Sequence, residues 1–284
     1  EIRIYSFIEK CKSQIFSLLC FAILLGCQPA NTTHFANDKK GVNIILFIGD
    51  GMSLAQWQTG MIMSDDSLNI ERMPTIGIVQ TYPMTGFNGD GPTHGTAIAT
   101  GVRTRKGAVG IDADGKPLKT LIDYAKEQRM ATGIVSANSL MEGSLAPFVA
   151  HVENRMQLEE IAKAYVEKEL DVFIGSGIQH FTNRKDGKDF LPELSRKGYQ
   201  ITRSKQELQN VSGNKLAGFI AASEECNNSQ GSGVSLPFYV QTALHLLSKN
   251  EHGFLLVVGD MHVDRASHAK DTQLIASETI DIVK

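Results

Sequence analysis

The stretch Val42-Asn43-Ile44-Ile45-Leu46-Phe47-Ile48-Gly49-Asp50-Gly51-Met52 decides the fold. It opens on an apolar run interrupted only by Asn43, which reads as a strand buried on both faces, the habit of parallel sheets. The run stops at Gly49-Asp50-Gly51, and residues 53–63 follow with helical character. A carboxylate just past such a strand lies where open α/β sheets place ligands, outside the carboxyl ends of the strands. The competing reading of Asp50 is a helix N-cap. A second apolar strand weighs against that alternative. Phe254-Leu255-Leu256-Val257-Val258 runs into Gly259-Asp260-Met261-His262-Val263-Asp264-Arg265-Ala266-Ser267-His268 and again delivers acidic residues to its carboxyl edge.

Between these strands the pattern alternates. Helices are expected over 118–128, 156–168, 190–196, 205–208, 236–247 and 273–284, and strands over 131–136, 172–177, 199–201 and 216–221. Alternation of this kind means an α/β fold, a mostly parallel central sheet with helices on both faces. The 284 residues suit one large domain, and 42% apolar with 21% charged is ordinary for a protein with a sizeable core. A net charge of −3 argues against nucleic acid as the main partner. Cys11, Cys20, Cys27 and Cys226 show no CxxC spacing, so neither a zinc ribbon nor a disulfide framework is indicated.

The beginning of the chain reads as a targeting segment. Lys10 and Lys12 precede an apolar run over 15–25, short for a membrane span. The run ends in Leu24-Leu25-Gly26-Cys27, which resembles the lipobox of bacterial lipoproteins, where the cysteine is acylated. A plain secretory signal is the alternative. The expected organisation is a signal segment over 1–27, a polar linker over 28–40 and a globular domain over 41–284. The domain would sit in the periplasm or at the cell surface, held to the membrane through lipidated Cys27.

The central stretch, Asp90 to Asp112, reads DGPTHGTAIATGVRTRKGAVGID. Proline near a helix start loses no useful N–H, and the unpaired N–H donors of a helix start suit an anion. A capped surface helix is the plainer alternative. Asp264 and His268, four apart, fall on one helix face, and carboxylate plus imidazole is a normal zinc pair. Taken alone, that spacing is a weak signal whose default reading is a solvated ion pair. His262 lies close by and competes for the assignment. Cleaving a phosphate monoester needs an activated nucleophile, neutralised phosphoryl oxygens and a stabilised leaving alkoxide. Two zinc ions about 4 Å apart and a bidentate arginine supply these functions.

At this point four blocks resemble the alkaline phosphatase family. Residues 44–52 look like its first strand and metal-binding aspartate, and TAIATGVRTRKGAVGID over 96–112 is similar to the segment after its nucleophile. Val149-Ala150-His151-Val152-Glu153-Asn154-Arg155 matches the stretch carrying its phosphate-binding arginine, and residues 254–268 match the strand with its D-x-x-x-H zinc pair. The resemblance implies an alkaline-phosphatase-like fold and a metal-dependent phosphomonoesterase working through two zinc ions, one magnesium ion and a covalent phosphoserine. It implies that Asp50 bridges the second zinc and the magnesium, that Asp264 and His268 hold the first zinc, and that Glu142 and Ser144 serve the magnesium. It further implies that Arg155 clamps the phosphate, oriented by Asp90, and that the protein forms a homodimer acting on phosphate monoesters. A phosphodiesterase or sulfatase reading is disfavoured by the T-G-V-x-T-x-x-G block at 100–107.

The chain also departs from the family pattern. Where the family has D-S-A, this chain has Asp90-Gly91-Pro92, which places Gly91 at the nucleophile position. Glycine has no attacking atom, so the phosphoserine route is closed. Thr93 would need a half-turn shift to replace it, and a hydroxide made available by a metal is the chemical substitute. The family glutamate after the last strand aligns with Gly259, so either Asp260 takes over through a local bulge or the magnesium site is weakened. The family's further zinc ligands lie beyond Lys284, and the domain is expected to lack its C-terminal third. A catalytically impaired relative that binds metal or phosphate is therefore the rival reading.

Overall fold

The computed structural model describes residues 41–220 and 236–283. The expected signal segment, linker and lipidated Cys27, together with Cys11, Cys20 and Cys226, lie outside the described residues.

In chain order the elements are β1 (Val42–Gly49), α1 (Leu54–Met63), α2 (Gly91–Thr100), α3 (Leu121–Glu127) and β2 (Ala131–Ser139). Next come α4 (Leu158–Lys168), β3 (Val172–Ser176), α5 (Gln179–Thr182), α6 (Leu191–Arg196), β4 (Gln200–Thr202), α7 (Lys205–Gln209) and β5 (Leu216–Phe219). The series ends with α8 (Leu236–Leu247), β6 (Gly253–Asp260), α9 (His262–Ala269) and α10 (Thr272–Val283). Short 3-10 turns at Asn69–Arg72 and Ala146–Phe148 complete it.

Among the described residues the strands form one six-stranded sheet in the order β1-β6-β2-β3-β5-β4. Every pairing is parallel. Parallel strands need crossovers, and helices supply them, so both faces of β6, β2 and β3 are covered. Alternate residues of β6 show the consequence. Leu255 and Val257 enter one core with Ile122, Ile161 and Tyr165, whereas Phe254, Leu256 and Val258 enter the other with Tyr239, Ala243 and Leu247. An aromatic cluster of Tyr165, Phe173, Phe181, Tyr199 and Phe219 fills the first core towards β5.

One expectation about the deciding stretch is overturned. The run over 42–48 is a strand, but it is not buried on both faces: Val42, Ile44, Ile45 and Phe47 are exposed, Phe47 by 50%. It is the last strand in the sheet order, paired by β6 on one side only, and among the described residues little packs over its two faces. The segment 74–83 beyond α1 forms no strand or helix and leaves Ile76, Ile78 and Val79 exposed.

Candidate active site

The carboxyl edge of β1, β6 and β2 gathers the site. Asp50 follows β1 directly, and its backbone N–H donates to the carbonyl of Asp260 at the end of β6 (2.8 Å). It caps no helix, because the N-cap of α1 is Ser53. Gly51 turns the chain at φ +68°, and a Cβ there would come within 2.4 Å of the Asp264 Cα, so only glycine lets β1 end against α9. Asp50 and Asp264 are thereby electrostatic neighbours. Burial and then the charge of Asp264 push the Asp50 carboxyl above its ordinary range, although the Ser144 hydroxyl, the Gly51 N–H and His94 work against the rise.

Asp264 and His268 share a face of α9 as their spacing predicts, with Nε2 to Oδ2 at 3.7 Å and His268 reaching into solvent. Residues 262–269 hold to the sheet through a buried network. His262 accepts from Asn138 Nδ2 at Nε2 (3.2 Å), which leaves the proton on Nδ1, 2.8 Å from Asp260 Oδ1. The same Asp260 oxygen accepts from the His262 backbone N–H, and Asn138 Oδ1 accepts from Met261 N–H. Asp260 is thus committed to seating α9. The bulge that would let it replace a glutamate at 259 is absent, since β6 pairs with β1 in unbroken register to Gly49↔Asp260. The space a side chain at Gly259 would need is filled by Leu145, whose carbons lie 2.7–2.8 Å from a Cβ built there.

The N-terminus of α2 arrives from the other side. Its N-cap is Asp90, whose Oδ1 accepts from the Thr93 N–H (3.1 Å) and hydroxyl (2.6 Å). Thr93 Oγ1 in turn accepts from the Asp90 N–H (2.7 Å), completing a capping box. Thr93 is buried and occupied in this box, so the half-turn shift that would make it a nucleophile does not occur. Gly95 lets α2 press onto the Gly143–Ser144 backbone, where a Cβ would meet the Ser144 carbonyl oxygen at 2.6 Å. Gly91 consequently faces the site: a Cβ there would lie 3.3 Å from Asp50 Oδ2 and 3.4 Å from the Ser144 nitrogen.

Asp90 also reaches the basic loop, because its Oδ2 accepts from Gly107 N–H (3.0 Å). The Gly107 carbonyl accepts from Arg155 N–H (2.9 Å), and Val109 and Val152 bridge in antiparallel fashion beside it. Asp90 and Arg155 are therefore linked through the loop backbone rather than by a direct ion pair. Glu142 is drawn towards Arg265 on α9 (3.6 Å). Spacing gave no hint of two participants, Asn138 and His94. His94 lies one turn beyond Gly91, acts electrostatically on Asp50, and has its Nε2 buried without a hydrogen-bond partner among the described residues.

A metal finds part of a site here. The Asp50–Asp264 pair carries the repulsion that a cation relieves, and His268, a nitrogen donor on the same face of α9 as Asp264, reaches into solvent beside it. The magnesium set does not fit as it stands, since Glu142 faces Arg265, Asp260 is spent on His262 and Gly259 has no side chain. Among the described residues, no three His, Cys, Asp or Glu side chains converge on one point.

Fold and site together define an α/β protein with a carboxylate-lined centre at the carboxyl edge of a parallel sheet, faced by a helix N-terminus. Comparison with known proteins makes this particular. The alkaline phosphatase family model matches residues 41–284, and the chain belongs to that family. It is 29% identical to alkaline phosphatase 4 of Bacillus subtilis over 286 residues, covering 93% of this chain. That alignment spans 62% of the relative, less than two thirds of its length. The solved alkaline phosphatase of the Antarctic bacterium TAB5 is similar with a TM-score of 0.81 and 29% identity, over 84% of this chain and 71% of that one. A variant of the TAB5 enzyme with magnesium bound in its M3 site is similar with a TM-score of 0.77 and 27% identity, over 86% and 71%.

Proposed function

We propose that the protein is a metal-dependent phosphomonoesterase of the alkaline phosphatase type, working at zinc and magnesium ions. One observation carries the reading: Gly91 and Ser144 close on Asp50 while Asp264 lies beside it, four separate segments gathered at the sheet edge. In this reading Asp264 and His268 would hold the first zinc and Asp50 the second, while Glu142 and Ser144 would serve a magnesium site weakened by Arg265 beside Glu142 and by the missing side chain at Gly259. The ions would screen phosphoryl and leaving-group charge. Arg155 would grip two phosphoryl oxygens, and the Asp90–Gly107 link would hold the loop against which its backbone is pinned.

The extracytoplasmic, lipid-anchored placement and a homodimeric state belong to the same proposal. Turnover of p-nitrophenyl phosphate by the full-length protein with zinc and magnesium tests it. A rate no higher than background, in both the parent and Gly91→Ser, rejects it. A second reading, a relative that binds metal or phosphate without turning over, is favoured by Leu145 in the Gly259 space and by Arg265 beside Glu142. Zinc binding without turnover would select it.

A further inference from the structure

We infer that the attacking group in this protein is a water molecule seated over Gly91, so that phosphoryl transfer is a single displacement and inverts configuration at phosphorus. The inference rests on the phosphomonoesterase reading and specifies its nucleophile. The absence of a side chain at Gly91 leaves a small space whose walls are polar: Asp50 Oδ2 stands 3.3 Å from a Cβ built there and the Ser144 nitrogen 3.4 Å. The Ser144 N–H donates to no backbone or side-chain group among the described residues. Asp50 Oδ1 is already used by Gly51 N–H (3.0 Å), which leaves Oδ2 as the oxygen facing the space. Gly91 and Asp50 are both partly exposed, so the space opens to solvent.

A water there would accept from Ser144 N–H and donate one O–H to Asp50 Oδ2, keeping a lone pair for phosphorus. The side-chain hydroxyls around it are committed elsewhere or buried. Thr93 Oγ1 is locked in the capping box with Asp90, and the Ser144 hydroxyl sits on a residue only 5% exposed. The His94 Nε2 is sealed against Gly89, whose Cβ would overlap it at 2.2 Å. Thr93 and His94 are thereby held away from the Gly91 position.

The step balances with water alone. The water oxygen forms the new P–O bond as the ester P–O bond breaks. One water proton ends on the departing alcohol, and the other stays on hydrogen phosphate. With a single displacement, phosphorus inverts and no phosphate is ever bonded to the protein.

The experiment uses the full-length protein supplied with zinc and magnesium and an isotopically chiral phosphate monoester, the product trapped as a chiral diester and its configuration read by phosphorus NMR. A parallel sample with radiolabelled monoester is quenched in acid and assayed for label on the protein. Inversion with no protein-bound label is the expected result. Retention, or label on Ser144, Thr93 or His94, overturns the inference and leaves the phosphomonoesterase reading intact. Absence of turnover in the parent overturns the inference, and absence in Gly91→Ser as well overturns the phosphomonoesterase reading.

Discussion

Gly91 and Gly259 stand at positions where the family pattern carries functional side chains, and their surroundings have adapted differently. Around Gly91 the space stays open and polar, with only a few tenths of an ångström to be yielded by Asp50 and Ser144 to a Cβ. Gly91→Ser is therefore expected to fold normally and to acquire acid-stable, protein-bound phosphate when incubated with labelled monoester, which mass spectrometry would place on residue 91. Around Gly259 the space is gone, because Leu145 occupies it. Gly259→Glu is expected to destabilise the protein by about 1–3 kcal/mol through overpacking and an unpaired buried carboxylate. Combined with Leu145→Ala, the two costs should be less than additive in chemical denaturation, because the deletion makes room for the insertion.

Among the elements, α2 shows how one cap serves both stability and site. Asp90 closes the capping box and, through Gly107, holds the strand-like pair that carries Arg155. Asp90→Ala should cost about 1 kcal/mol in thermal denaturation, the usual loss for an N-cap. It should also weaken inhibition by inorganic phosphate, since the Arg155 backbone loses its anchor. The α5–α6 connection offers a pH test away from the site. Asp186 is held down to about 2 by its hydrogen bonds to Arg184, whose buried guanidinium also lies over the Phe190 ring. A carboxyl lowered by folding adds stability above its unfolded value and loses it as pH falls towards the folded one. Stability should therefore drop between about 3.8 and about 2 in the parent protein, and Asp186→Asn should flatten that part of a melting-temperature profile.

For the whole molecule, the Asp50–Asp264 repulsion means that folding brings together charges a cation would separate. Zinc at about a hundred times its dissociation constant should stabilise the folded protein by about 2.7 kcal/mol. That rise in melting temperature should disappear in Asp264→Asn.

Much of the architecture was legible in the chain because it is written locally. Helix periodicity located α4 and α8, and apolar runs located β1 and β6, with boundaries within a few residues of those observed. The placement of Asp50 beside Asp264, and of Asp264 with His268 on one helix face, was legible because each directly follows a strand or shares a helical turn. What stayed hidden depends on partners distant in sequence. Asn138 looks like any strand-end amide until His262 and Met261 reach it from 123 or 124 positions away. Leu145 looks like any core leucine until it fills the place of a side chain at 259.

By itself, then, the sequence determined the kinds of element and their order, since propensity and periodicity act over a few neighbouring residues, and it named candidate residues for phosphate and metal through a family resemblance. Only the tertiary structure decided that β1 lies at the sheet edge rather than inside it, because an apolar run says how a strand packs and not how many strands flank it. It alone also decided which groups face Gly91, because the approach of Asp50 and Ser144 is set by parallel pairing and by the close seating of α2 at Gly95.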